Sequence, residues 1–360
     1  MACGTDPARY ISACSRGPTC SPTSTASTTS TSTAAGCSPT PSNGGLIYGD
    51  FECGDLGPWT PSGIQSGFAV ATGTPGLTGK RSVQGKFTGN PACENTCSVG
   101  KIISPPIPVT PGVAYKMTWA TWMDGHSSGF IGVVLNGGGR TIDVYDYPQN
   151  EWRFNQYPWV APAGTTSTTM FFDWYGPEAR IDAVTLAPLS AYCGPNPPIG
   201  LLADGEFECG LGAWTQQVPD SNTNAGAKST SLVQANQAYG SFAWIATTQG
   251  PNRAQQDHGI SARITSSTMP VTPGKSYMLA WTNYFNAYGI GFLGVKINGV
   301  AVMTVDPGDP HQGPGWFANT PWFWVAPAGV TTATVTFEAS FAGAGTMAVD
   351  SVIFVEAAQN

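Results

Sequence analysis

The sequence predicts an all-β protein: two tandem jelly-roll β-sandwich domains, preceded by a short Cys-bearing head and a Ser/Thr-rich linker. Three observations lead there. The chain repeats itself once over a domain length, its apolar residues alternate with a period of two, and turn formers interrupt every run. The repeat is carried by order and spacing. Leu-Ile-Tyr-Gly-Asp-Phe-Glu-Cys-Gly (46–54) returns as Leu-Ala-Asp-Gly-Glu-Phe-Glu-Cys-Gly (202–210). PVTPG stands at 108–112 and 270–274, GFIGVVLNG (129–137) answers GFLGVKING (291–299), and WVAPAG stands at 159–164 and 324–329. Each copy holds six of the 12 Trp. A whole domain of about 145–155 residues is thus duplicated, which excludes a solenoid of short units.

In chain order, residues 1–20 form the Cys-bearing head and 21–43 a tract of Ser, Thr, Ala and Pro that cannot bury a core. Its hydroxyls suit O-glycosylation, which would keep it extended. The first sandwich is expected over 44–190, a linker over 191–200 and the second sandwich over 201–358. Within each sandwich the alternation is strict. Tyr115/Met117/Trp119 and Tyr277/Leu279/Trp281 are one matched strand, and Ile131/Val133/Leu135 and Leu293/Val295/Ile297 another. TPG, NG and PAG turns separate them.

Composition narrows the class. Of 360 residues, 45 are Gly and 30 Pro, and 10% are charged, against about 25% in ordinary globular chains. With 41% hydrophobic residues the chain has bulk for real cores, which excludes disorder throughout and a charged helical bundle. The net charge is −7 and Lys and Arg never cluster, so neither a nucleic-acid groove nor a polybasic membrane contact is expected. No apolar run approaches the roughly 18 residues of a spanning helix. The expected state is a monomer.

Nine cysteines and a Ser/Thr tract suit an oxidising compartment. Met1 therefore reads as the replacement of a removed signal peptide, and the protein as secreted, extracellular or wall-bound. Cys37 lies 16 positions before Cys53, and Cys193 lies 16 before Cys209. Equal intervals at equal places predict equivalent disulfides, each stapling the incoming segment to the first strand. Cys93 and Cys97 share one loop and can bridge each other, which leaves Cys3, Cys14 and Cys20 as an odd set.

Alternation also assigns an outward set. With Tyr115, Met117 and Trp119 in the core, Trp122 points out, and Tyr284 takes its place in the second copy. The same parity turns out Phe130, Phe171, Asp173 and Tyr175 in the first copy, and Phe292, Lys296 and Glu338 in the second. The least similar segments, 141–157 and 304–322, bring Tyr145, Tyr147, Trp152, Trp316 and Trp322 to a presumed cleft rim. Exposed aromatics with a few polar handles mark a ligand surface. The competing reading is a second small core under loops.

The opening G-D-F-E-x-G, the P-V-T-P-G-x-x-Y strand, the W-V-A-P-A-G turn and the closing I-D-x-V strand resemble CenC-type carbohydrate-binding modules, of the family-four and family-nine kind, with a galactose-binding-like jelly-roll fold. The head resembles the Cys-containing starts of secreted filamentous-fungal proteins. The resemblance covers nearly all of 44–357. It implies a non-catalytic polysaccharide binder, with rings stacking on sugar C–H faces and polar groups meeting hydroxyls. It also implies structural calcium, one per module, at Glu52 with Asp182 and at Glu208 with Asp350. The alternatives are a wall structural or adhesion protein, and a glycoside hydrolase or polysaccharide lyase using Asp143, Asp146 and Glu151, or Asp306 and Asp309. No nucleophile elbow, HExxH or P-loop occurs, and His126, His258 and His311 share no repeat position.

Overall fold

Strands form where the alternation and the turns place them. In the computed structural model of the chain, the residues described are 49–62, 68–74, 76–87, 99–123, 130–135, 138–143, 151–175, 178–194, 197–230, 242–250, 259–306, 314–319 and 321–357. They belong to one unit, Cys37–Asn360. The head, the Ser/Thr tract, Cys37, Cys93, Cys97, Tyr145 and Tyr147 lie outside the described residues.

The first sandwich holds β1 (Thr60–Ser62), β2 (Phe68–Thr74), β3 (Ser82–Phe87), β4 (Gly100–Ile103), β5 (Ile107–Pro108), β6 (Ala114–Met123), β7 (Phe130–Leu135), β8 (Gly138–Asp143), β9 (Trp152–Val160), β10 (Ser167–Thr168), β11 (Met170–Tyr175) and β12 (Glu178–Pro188). Its outer sheet has the order β1-β4-β11-β7-β8 and its inner sheet β2-β3-β12-β6-β9. A 3-10 turn, Leu189–Cys193, leads to the second sandwich. There β13 (Trp214–Gln217), β14 (Thr223–Ser229), β15 (Phe242–Thr248), β16 (Ala262–Ser266), β17 (Met269–Pro270), β18 (Ser276–Phe285), β19 (Gly291–Ile297), β20 (Val300–Val305), β21 (Gly315–Ala318), β22 (Trp322–Val325), β23 (Thr332–Ala333), β24 (Val335–Phe341) and β25 (Gly345–Ala357) repeat the plan. The outer sheet is β13-β16-β24-β19-β20 and the inner sheet β14-β15-β25-β18-β21, with β22 also on β18. The fold is all-β, and no helix among the described residues is long and apolar enough to cross a membrane.

Each sandwich closes its own core between its two sheets. Met117, Trp119 and Ile181 of the inner sheet meet Ile131, Phe172 and Trp174 of the outer one. Leu279, Trp281 and Val349 meet Leu293, Phe337 and Phe341 in the second sandwich. Burying one such side chain is worth about 1.5–3 kcal/mol. The repeated motifs do matching work. Tyr115 Oη accepts the Thr110 N–H at 2.9 Å, and Tyr277 Oη accepts that of Thr272 at 2.7 Å, which explains the P-V-T-P-G-x-x-Y spacing. Phe51 and Phe207 adopt the left-handed φ of 51° and 54° that non-glycine residues rarely take, and their rings pack on Trp59 and Trp214. The opening segments are tied to the last strands by Val184 N–H to Gly49 C=O and Val352 N–H to Gly205 C=O. Cys193–Cys209 is formed as the interval predicts.

The two sandwiches then pack inner sheet on inner sheet. On β6 the residues facing away from the core, Lys116, Thr118 and Ala120, are all fully buried. Ala120, Trp152 and Ala183 of the first sandwich share one buried cluster with Met278, Ala280, Ile353 and Val355 of the second. These are outer-face positions of β18 and β25, since Leu279, Trp281 and Phe354 between them belong to the core. Two apolar sheet faces have covered each other.

Candidate functional site

The outward set divides between the two opposite faces of each sandwich, so it is not one ligand surface. Trp122, Trp152, Tyr284 and Trp316 belong to the inner sheets. None is an open platform. Trp122 is half-buried, carries the Arg180 guanidinium 4.0 Å above its ring, and packs with Trp152 against the cluster between the sandwiches. Tyr284 and Trp316 keep 9% and 7% of their surface and pack, ring centroids 5.5 Å apart, with Ala243, Ile245 and Ala348. Trp122 and Tyr284, expected as outward stacking rings, and Trp152 and Trp316, expected at a cleft rim, are thus all engaged in packing on the inner sheets. The reason is physical: an apolar sheet face of this size is covered by the neighbouring sandwich or closes over itself. Trp322 is 40% exposed, but on the edge strand β22 rather than in a cleft.

Beyond Tyr284 the same inner face turns polar. Asn224 pairs with Thr247, and Thr247 with Thr346, whose N–H donates to Asn286 Oδ1 at 2.8 Å. They border an uncharged cavity of about 540 Å3 that also touches Asn222 and Gln249.

The remaining outward residues meet on the outer sheets, and there the two copies match row for row. Across the first outer sheet run Ser62, Lys101, Asp173, Gly132 and Thr141 as successive cross-strand partners. Across the second run Gln217, Arg263, Glu338, Gly294 and Thr304. Each row is polar group, cation, acid, glycine, threonine. The glycine beside each acid leaves a trough: a Cβ on Gly132 would sit 3.5 Å from Asp173 and Tyr175, and one on Gly294 3.7 Å from Glu338. Asp173 and Glu338 are buried although they point away from the core, while Lys101 and Arg263 beside them are half-buried and Gln217 and Thr304 at the ends of the second row are exposed.

The walls of the trough differ between copies. In the first, Phe171 and Tyr175 flank Asp173 on β11, and Lys101 Nζ stands 5.2 Å over the Phe171 ring. Burial, with the Asp173 charge added, raises the Tyr175 hydroxyl above its ordinary range, so it stays a neutral donor. Phe130 takes the register position opposite Tyr175. In the second, Glu338 gives one oxygen to Arg263 Nη2 and the other to Lys296 Nζ, each at 2.7 Å, and Arg263 Nη1 reaches Gln217 at 3.3 Å. Phe292 lies one row away, opposite Ser340. The sequence reading missed Lys101, Arg263, Gly132 and Gly294. The matched stretches KIIS (101–104) and RITS (263–266) carry the signal for the two cations.

The calcium expectation can be tested on the oxygens themselves. In the first sandwich Asp182 is buried, and its Oδ2 accepts the Thr78 N–H at 2.8 Å and the Thr78 hydroxyl at 3.2 Å. Glu52 accepts the N–H groups of Lys80 and Arg81. Only glycine fits between them: a Cβ on Gly76 would lie 2.2 Å from the Arg81 carbonyl oxygen and 2.7 Å from Asp182 Oδ2, and one on Gly79 2.4 Å from the Glu52 carboxylate. Burial pushes the Asp182 carboxyl well above the usual carboxylate range, with the Thr78 and Ala183 N–H groups pulling it down and the Glu52 charge adding to the rise. Asp182 Oδ2 and the Arg81 carbonyl oxygen converge on Gly76, with the Glu52 charge close enough to act on Asp182, and oxygens of this kind suit a hard cation. In the second sandwich Glu208 accepts the Phe242 N–H, while Asp350 feels, besides its burial, Glu206 and the Lys116 ammonium. A positive charge is already there, and the fit to a divalent ion is poorer.

No family model matches the chain, and no curated protein matches it. Solved structures do. A bacteriophage CBA120 tailspike protein 4 domain aligns at a TM-score of 0.32 and 13% identity over 41% of this chain, which spans 22% of that protein. The tandem CBM22-1–CBM22-2 domain of Paenibacillus barcinonensis Xyn10C aligns at 0.30 and 12% identity over 85% of this chain and 95% of its own. TmCBM61, solved with β-1,4-galactotriose, aligns at 0.29 and 17% identity over 40% and 98%.

Proposed function

We propose that the chain is a secreted, non-catalytic glycan-binding protein whose ligands lie in the two outer-sheet troughs. The observation that carries this is the matched row: in both copies a cation and a buried acid are cross-strand neighbours beside a glycine, on a sheet face that the other sandwich leaves uncovered. Such a row offers fixed donors and acceptors to hydroxyls. Phe171 and Tyr175, or Phe292, supply apolar faces for sugar C–H groups. Glu338 gives both oxygens to Arg263 and Lys296, whereas a general acid sits in an apolar setting with no cation beside it. Each trough would bind weakly, with Kd on the order of micromolar to millimolar. Glu52, Asp182 and the Arg81 carbonyl would hold a structural calcium ion that pins loop 76–81. The Cys193–Cys209 disulfide supports an oxidising, extracellular setting.

The test is retention on a panel of insoluble β-linked polysaccharides, with reducing-sugar and unsaturated-product release followed in the same samples. Retention without product is the expected result. Product release would make the chain a hydrolase or lyase, and no retention would leave it a wall or adhesion protein.

A further inference from the structure

We infer that the two glycan sites face in opposite directions and that the protein bridges two polysaccharide chains. This rests on the outer-trough reading above. The order of layers decides it. Each core lies between an outer and an inner sheet, and the inner sheets pack on each other through Ala120, Trp152, Met278 and Val355. The sequence of layers is therefore outer, inner, inner, outer. Asp173 and Glu338 point away from the two cores on the first and last of these layers. With packed sheets about 10 Å apart, the outer sheets stand about 30 Å from each other, with their ligand faces turned outward.

Two sites on one chain ordinarily reinforce each other on a long polymer, because the second contact is intramolecular. That gain vanishes when geometry forbids both contacts at once. Here one straight glycan lying in the first trough runs across the far side of the stack from the second. It would have to turn round the whole protein to enter both. Two separate chains meet no such barrier. The contact between the sandwiches is built to hold: Lys116 and Glu206 form a buried ion pair across it, and Leu77, Ala183 and Ile353 pack in the same cluster. A linker free to swing would let both troughs turn to one chain. A buried ion pair within an apolar cluster does not.

The experiment is a capture assay. Particles of an insoluble β-1,4-linked xylan, and in a second set a β-1,4-linked glucan, are loaded with protein, washed and offered a fluorescent soluble chain of the same polysaccharide. The unaltered protein is expected to capture the soluble chain. Asp173→Asn with Tyr175→Ala, and separately Glu338→Gln with Arg263→Ala, should each still load the particles and lose capture at least tenfold. Loading without capture by the unaltered protein overturns the bridge alone. Capture that survives in either single-face variant overturns it too. Failure to load any particle overturns the glycan reading, and the bridge with it.

Discussion

The Lys116 ammonium of the first sandwich is buried against the Glu206 carboxylate of the second, with 0% and 1% of the side chains exposed. The other Glu206 oxygen accepts the Ser351 hydroxyl at 3.0 Å, and the Tyr192 ring lies 5.1 Å from the ammonium. The matched position in the second copy is Met278, so the ion pair belongs to the contact and not to the repeated fold. Removing one partner of a buried pair leaves a charge without compensation. Lys116→Met should destabilise the protein by about 3–5 kcal/mol in urea unfolding, and adding Glu206→Gln should recover much of that. A single variant as stable as the parent would mean that the sandwiches do not hold this contact in solution.

The inner-face aromatics are predicted to matter for stability and not for binding. Tyr284→Ala and Trp316→Ala open a cavity in the cluster with Ile245 and Ala348, at about 2–5 kcal/mol each. Polysaccharide retention should be unchanged at temperatures where the variants stay folded. Lost retention with intact stability would move the site to this face.

Calcium should raise the melting temperature through the first sandwich. An ion bound only by the folded state adds about 2.7 kcal/mol at a concentration one hundred times its Kd. Asp182→Asn should remove the response, whereas Asp350→Asn, beside the Lys116 ammonium, should change it little. A melting curve indifferent to both calcium and chelator contradicts the assignment.

Asp204 gives a pH signature. Burial lifts its carboxyl to about 6; the Cys209 N–H pulls the other way, and the Glu206 and Glu208 charges add to the rise. In the unfolded chain the value is about 3.9. The folded state thus holds the proton more tightly. This group's contribution is full below about pH 4 and is lost as pH rises through about 6. Asp204→Asn should therefore stabilise the protein at pH 7 and make no difference near pH 3.5. Equal urea midpoints for both proteins at pH 7 would show that the carboxyl is not buried as described.

Much of the fold was legible in the sequence because its signals are local. Tyr115/Met117/Trp119 and Met170/Phe172/Trp174 alternate strictly and all reach the core. The 16-residue interval gave Cys193–Cys209. The site was half legible. Parity says that Trp122 and Asp173 both leave the core, but it cannot say that they leave through opposite sheets. That depends on which strands pair. Nor does parity show that Lys101, 72 positions before Asp173, is its cross-strand neighbour. The burial of Trp152 and Tyr284 was hidden for a further reason: it depends on a neighbouring sandwich and on side-chain packing, which no single strand records.

Glycan binding by the acid-centred rows of both outer troughs would show in affinity electrophoresis, in gels carrying the polysaccharide retained best in the panel. The unaltered protein is compared with Asp173→Asn plus Glu338→Gln, and with Asn224→Ala plus Asn286→Ala, all checked for equal melting temperature. The acid variant is expected to run as in a gel without polysaccharide while the asparagine variant is retarded like the parent. Retardation lost in the asparagine variant and kept in the acid variant would place the ligand in the inner-face cavity and not in the outer troughs.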